Sequence, residues 1–282
     1  IIEIDGTSAK DLDMGEALKL LRGAPGTKVK LKVLRGPEQA SENALKTYDF
    51  EIVRELVKIE SVVWRKLDDG VGYVRITEFS AKTVDDLVEA LKQLKVDGAG
   101  SLVLDLRNNP GGLLSAAVET ASLFLGEGKL IVYTQGRRSE NRQDFTAGPK
   151  APYSEMPLVV LVNEGSASGS EIVAGAVQDH KRAVVVGQRS YGKASVQSLI
   201  PLPDGSGLRL TVARYYTPSG RSIHRDEKHK IGGISPDIAV EITPEAEGKL
   251  YAQWETIYAK DKKPRSAVKP EDAIRDEALD RA

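Results

Sequence analysis

Apolar and polar positions change their period along the chain and mark out three stretches. Over residues 1–56, short β-like segments flank one helix. Ile1, Ile2 and Ile4 precede the turn pair Asp5-Gly6, Met14, Ala17, Leu18 and Leu21 recur at helical spacing, and Val29, Leu31 and Val33 alternate over 28–34. A unit that opens directly on a strand reads as the latter half of a module whose first half lies upstream. From 57 to 243 apolar strands at 71–76, 102–106, 130–133, 158–162 and 183–186 are interleaved with helical segments at 84–94, 114–125 and 168–177, which argues for a sheet covered by helices. Two further β-rich runs, 195–202 and 208–215, are split by the turn Asp204-Gly205-Ser206-Gly207. Residues 244–282 are charged and helix-prone, with Leu250, Trp254, Ile257 and Tyr258 as the apolar stripe. They read as a helical tail that serves a partner or oligomer contact, or as a solvated end.

Composition narrows the chemistry more than the fold. The 282 residues carry 40 basic and 41 acidic side chains, a net charge of -1, so neither a nucleic acid nor a membrane surface is implied as partner. No apolar run approaches the roughly 18 residues of a membrane-spanning helix. With no cysteine, thiol nucleophiles, disulfides and Cys-based metal sites are excluded. With three histidines, His180, His224 and His229, a histidine base has few places to come from.

Two Gly- and Ser-rich turns follow apolar strands. In Asp105-Leu106-Arg107-Asn108-Asn109-Pro110-Gly111-Gly112 the glycine pair lets backbone N–H groups approach a charged atom. It reads as half of an oxyanion hole or as an ordinary strand-to-helix turn. In the run from Asn163 to Glu171, N-E-G-S-A-S-G-S-E, three serines stand where a helix begins, among unsatisfied N–H donors. Ser168 with Glu171 equally fits a capping box. The run is not G-x-S-x-G, since Ala167 occupies the centre counted from Gly165, and an α/β-hydrolase is disfavoured.

A serine nucleophile needs a base. His180 lies about twelve residues along the helical segment, roughly 18 Å from its start; His224 and His229 sit in a polar run. Lysine can serve where burial away from carboxylates strips its charge. Ser190-Tyr191-Gly192-Lys193-Ala194-Ser195-Val196-Gln197 offers Lys193 among small or neutral neighbours, with Gln197 able to orient the amine. A solvated surface lysine is the alternative reading. A second spacing, Ser266-Ala267-Val268-Lys269, lies in the charged tail without companion motifs and is discounted.

Together, D-L-R-N-N-P-G-G at 105–112, N-E-G-S-A-S-G-S-E at 163–171, Y-G-K-A-S-V-Q at 191–197, T-V-A-R-Y-Y-T-P at 211–218 and G-I-S-P-D at 233–237 resemble the C-terminal processing peptidases, or tail-specific proteases, of peptidase family S41. The resemblance implies an α/β fold: a ClpP/crotonase-like serine protease core at 57–243, a truncated PDZ-like domain at 1–56 and a helical tail at 244–282. It places the nucleophile on Ser168, the base on Lys193 and the supporting glutamine on Gln197, with an oxyanion hole from the Gly112 and Gly169 N–H groups. Relatives commonly read S-A-S-A where this chain has Gly169. No metal or organic cofactor is implied. The implied partners are protein or peptide substrates with accessible C-termini, an activating adaptor and further copies of the chain; the implied location is extracytoplasmic, in a bacterial periplasm or cell envelope. A crotonase-like acyl-CoA enzyme and a non-catalytic peptide-binding scaffold are the rivals.

Overall fold

The computed structural model describes residues 1–36, 45–56, 60–203, 205–226, 231–257 and 274–282; His229, Tyr258, Ser266 and Lys269 fall outside them. The chain divides into two compact units, Ile1–Ile59 and Glu60–Ala282, so the described residues of 244–282 belong with the larger one.

The first unit is an antiparallel sheet in the order β2-β1-β3-β4, built from β1 (Glu3–Ile4), β2 (Thr7–Ser8), β3 (Lys28–Arg35) and β4 (Lys46–Val53). Helix α1 (Met14–Leu21) starts at a reciprocal box between Asp13 and Glu16. Its last carbonyls, those of Leu20 and Leu21, accept from the Arg54 guanidinium. Ile4, Val29 and Leu31 form a small core against Ala17, Leu20 and Leu21.

The second unit centres on a six-stranded sheet in the order β14-β11-β10-β7-β6-β5 among the described residues. Its strands are β5 (Val62–Lys66), β6 (Val71–Ile76), β7 (Ser101–Asp105), β10 (Leu158–Val162), β11 (Val184–Gly187) and β14 (Ile238–Ala239), all parallel except β5. Alternation along the strands sends Val74, Leu104, Val160 and Val185 into a core with helices α2 (Thr83–Val96), α3 (Leu114–Ser122) and α4 (Gly169–Asp179). Tyr73, Val103, Leu161 and Val186 form the opposite face, joined there by Val240 and Ala278. Burial on both faces is why these strands read as continuous Val/Leu runs.

The strand read at 130–133 does not join this sheet. As β8 (Leu130–Gly136) it pairs antiparallel with β9 (Arg142–Thr146) and β13 (Gly207–Tyr216), and β12 (Ser195–Pro201) closes the order β12-β13-β8-β9. The short link from β8 to β9 suits a hairpin and is too short for a crossover. The tail supplies α5 (Pro244–Ile257) and α6 (Glu277–Asp280), with Leu250, Trp254 and Ala278 buried. Among the described residues no helix is long and apolar enough to cross a membrane.

One register sets the site: Leu161 of β10 pairs with Asp105 of β7. Both chains therefore leave the sheet side by side at its carboxyl edge, where open α/β sheets place their ligand sites.

Candidate active site

The turns that follow β7 and β10 interlock through Asn109. Its carbonyl accepts the Ala167 N–H (2.9 Å) and the Ser170 hydroxyl (2.9 Å). Its side chain accepts the Gly111 N–H (2.8 Å) and donates to the Ile76 carbonyl (3.0 Å). Two of the three serines are thereby structural. Ser170 is tied to Asn109, and Ser166, also buried, donates to the Leu106 carbonyl (2.8 Å) and accepts the Asn163 N–H (3.0 Å).

Ser168 differs from both. It is half-buried and its backbone lies at φ 54°, ψ -109°, outside the ordinary regions. Such a conformation costs on the order of 1–3 kcal/mol and persists only where the surroundings fix it. Here the Ser168 N–H donates to Glu171 Oε2 (2.8 Å) and its carbonyl accepts from Ile172 (3.0 Å). Gly111, at φ +100°, lies directly against it: a Cβ on Gly111 would sit 2.7 Å from Ser168 Cβ and 2.9 Å from the Gly169 nitrogen.

Two backbone donors are left over. Phe79 donates to the Gly111 carbonyl (2.9 Å) and accepts from Leu113 (2.7 Å), so the trans peptide between Gly111 and Gly112 turns the Gly112 N–H away from Phe79. A Cβ on Gly112 would stand 2.1 Å from the Phe79 carbonyl oxygen, which only glycine tolerates. Gly169 is the first residue of α4, where an N–H has no acceptor within the helix. Neither N–H makes a hydrogen bond among the described residues.

Glu171 ties this turn to the proposed base. Fully buried, its carboxylate accepts the Ser168 and Lys193 N–H groups on Oε2 (2.8 and 2.9 Å) and the Ser190 hydroxyl and Gly192 N–H on Oε1 (2.6 Å each). Burial pushes the carboxyl above the ordinary glutamate range, with the four donors opposing it. The Tyr191 N–H also donates to the Ser166 carbonyl (2.9 Å). The backbone of 190–193 is thus pinned to the serine turn.

The side chains on that backbone are not. Lys193 is exposed, and its Nζ makes no hydrogen bond or ion pair among the described residues. Gln197 is exposed too and donates to Thr211 Oγ1 at 3.4 Å across the β12–β13 pair. The dry pocket expected for Lys193, supported by Gln197, is therefore not formed in this conformation. The chain runs extended from Ser195 with a bulge between Val196 and Gln197, and lacks the turn that would fold Gln197 back onto Lys193. Ser168 Oγ, Lys193 Nζ and Gln197 are not joined by hydrogen bonds. His180 Nε2 lies 2.7 Å from the Leu130 carbonyl at the far end of α4.

Peptidase family S41 matches residues 70–240, a span that holds both turns, Glu171, Lys193 and Gln197. The chain belongs to peptidase family S41. The carboxyl-terminal-processing protease of Synechocystis sp. is 42% identical over 246 residues, covering 86% of this chain and 54% of the relative. The carboxy-terminal-processing protease of Bartonella bacilliformis is 42% identical over 245 residues, covering 86% and 53%. Among solved structures, the photosystem II D1 C-terminal processing protease aligns with a TM-score of 0.58 at 34% identity, over 86% of this chain and 62% of that one. This S41 chain spans about half the length of the curated relatives it matches.

Three residues that build the candidate site were not singled out from sequence for what they do. Gly111, read only as one of a pair, is the glycine against Ser168. Asn109 stitches the two turns together, and its only sequence signal was a place in N-N-P-G-G. The capping-box spacing gave Glu171 its bond to Ser168, while its three partners at 190–193 come from elsewhere in the chain.

Proposed function

We propose that this chain is the catalytic portion of a serine endopeptidase that cleaves proteins near their C-termini through an acyl-enzyme. One observation supports it above others: Ser168 is held at a left-handed backbone angle against Gly111, while its two neighbouring serines are locked into structural hydrogen bonds. In the reaction, neutral Lys193 removes the Ser168 hydroxyl proton as Oγ attacks the scissile carbonyl carbon. The Gly112 and Gly169 N–H groups, at the positive end of α4, receive the oxyanion. Lys193 then passes the proton to the leaving amine, which departs with the C-terminal fragment. Water, deprotonated by Lys193, hydrolyses the ester and returns Ser168 to its hydroxyl. The core is of the ClpP/crotonase type, and 1–56 corresponds to the latter half of a PDZ-like domain.

The exposed Lys193 favours a second reading of the same enzyme, in which this conformation is a resting state. A neutral amine requires desolvation, so a bound substrate or an activating adaptor must cover Lys193 and draw Gln197 to it. Self-association and an extracytoplasmic location belong to the same proposal. The test is cleavage of a protein with a disordered C-terminal tail by this chain, by Ser168→Ala and by Lys193→Ala. Each variant is expected to lose at least about 10³-fold in kcat; undiminished cleavage by either sinks its assigned role.

A further inference from the structure

The face of the main sheet opposite the helices carries a charged cluster that the acyl-transfer chemistry does not use. Asp105, fully buried at the end of β7, accepts the Tyr73 hydroxyl (2.6 Å) and both Nε and Nη2 of Arg107 (3.0 and 2.6 Å), with Arg75 Nη1 at 3.5 Å. Arg75 also donates to the Arg107 carbonyl (3.1 Å). Two buried guanidiniums against one carboxylate leave one uncompensated positive charge, four residues before Gly111. The tail supplies the missing anion. Asp276 grips Arg107 through two parallel bonds (2.7 and 2.8 Å), and the Trp254 ring of α5 lies under both guanidiniums, 4.0 Å from Arg75 and 4.4 Å from Arg107.

The tail reaches the second turn as well. Glu247 of α5 accepts from the Asn163 amide (2.5 Å), and Asn163 Oδ1 in turn accepts the Asn108 and Gly165 N–H groups (2.8 and 3.1 Å). The two halves of the tail are joined by the Ile274 N–H on Gln253 Oε1 (3.1 Å). Ala278 is buried among Tyr73, Val103 and Leu161 beneath the same strands.

We propose that the tail is a strap across the back of the active site, in which Asp276 and Glu247 are positioning residues that hold the 105–112 and 163–168 turns in register for acyl transfer. This rests on the functional reading given before it. A strap that acts on geometry lowers turnover and leaves substrate binding alone; one that merely adds stability lowers the folded fraction and leaves each folded molecule unchanged.

The experiment compares the parent chain with Asp276→Asn, Asp276→Glu and Glu247→Gln, measuring Ser168-dependent cleavage, Ser168 labelling by a fluorophosphonate, and amide hydrogen exchange. Asp276→Asn is expected to lower kcat and the labelling rate about tenfold or more, with KM within about twofold. Asp276→Glu restores part of the loss, and Glu247→Gln shows a smaller fall of the same kind. Hydrogen exchange at Asn108, Gly111 and Ala167, whose N–H groups are bonded within the two turns, accelerates while that at Val132 in β8 does not. Unchanged kcat per labelled site in both Asp276→Asn and Glu247→Gln overturns the strap, as does exchange that rises equally at Val132. If the parent neither cleaves nor labels, the functional reading fails, and the exchange pattern alone decides the strap. If Asp276→Asn does not fold, Glu247→Gln carries the same criteria.

Discussion

The serine turn and the lysine strand meet at Glu171 yet are built in opposite ways. Around Ser168 nearly every polar group has a partner: Asn109, Asn163, Ser166 and Ser170 are buried and bonded, and Glu171 accepts four donors. Past Lys193 the chain becomes an exposed hairpin, with Leu199, Ile200, Leu208 and Leu210 open to solvent. The difference separates two tasks. In the proposed reaction, a strained Ser168 beside two free N–H donors must exist before substrate arrives, since that geometry is what receives the oxyanion. On the same proposal, Lys193, exposed here, takes up its role only once something covers it.

The contrast breaks most sharply if stability and activity fail to separate along it. Asp105→Asn is expected to lose about 3–5 kcal/mol of stability, because two buried guanidiniums lose their carboxylate. Lys193→Ala is expected to abolish cleavage with stability within about 0.5 kcal/mol of the parent. Urea unfolding beside a cleavage assay reads both, and a Lys193→Ala chain that unfolds early refutes the division.

Gly111→Ala comes next. It must adopt φ +100° and seat a methyl group 2.7 Å from Ser168 Cβ, for about 2–4 kcal/mol of strain and overpacking and with loss of Ser168 labelling. Parent-like labelling would show that the approach is not needed.

Glu171→Gln sharpens the junction itself. Whichever way the amide is placed, its NH2 faces two donors, a cost of about 1–3 kcal/mol. The pH dependence has a definite sign. Because burial raises the Glu171 carboxyl, its contribution is complete below about pH 4.3 and is lost as pH rises through the raised folded value. The parent's margin over Glu171→Gln should therefore shrink upward from there. Asp105 behaves oppositely: burial pushes it up, but Arg107 and Arg75 prevail and hold it below the ordinary range. Its contribution is complete above about pH 4 and is lost as pH falls through the depressed value. Urea midpoints between pH 3 and 7 distinguish the two signs.

The smallest effect tests Gly169, the first residue of α4. A Cβ on Gly169 would stand 2.9 Å from the Phe79 ring and 3.2 Å from Ala117. Phe79 is held by backbone bonds on both sides, so Gly169→Ala should cost about 1 kcal/mol despite the helical preference of alanine. A raised melting temperature would show that Phe79 can retreat.

Much of this was legible in the pattern of residues. Helix α1 and strands β6 and β10 lie where spacing put them, because each carries an uninterrupted period. Strand β9 was missed since Arg142–Thr146 is mostly exposed and polar, and β4 since its alternation of Tyr48, Phe50 and Ile52 covers no buried face. Both turns announced themselves through Gly, Asn and Pro. What spacing could not convey was convergence: Glu171 looked like a local cap because its other partners lie 19 to 22 residues on. Nor could it show that Lys193 would be left in solvent, which depends on how a hairpin emerges from the sheet edge.

The bond between Arg107 and Asp276 spans 169 residues, and that distance orders events in time. A ribosome completes both turns, the serine and the lysine long before it delivers the carboxylate that balances the buried guanidinium. Until synthesis has passed residue 276, the turn that follows β7 therefore carries a guanidinium whose second carboxylate has not yet been made.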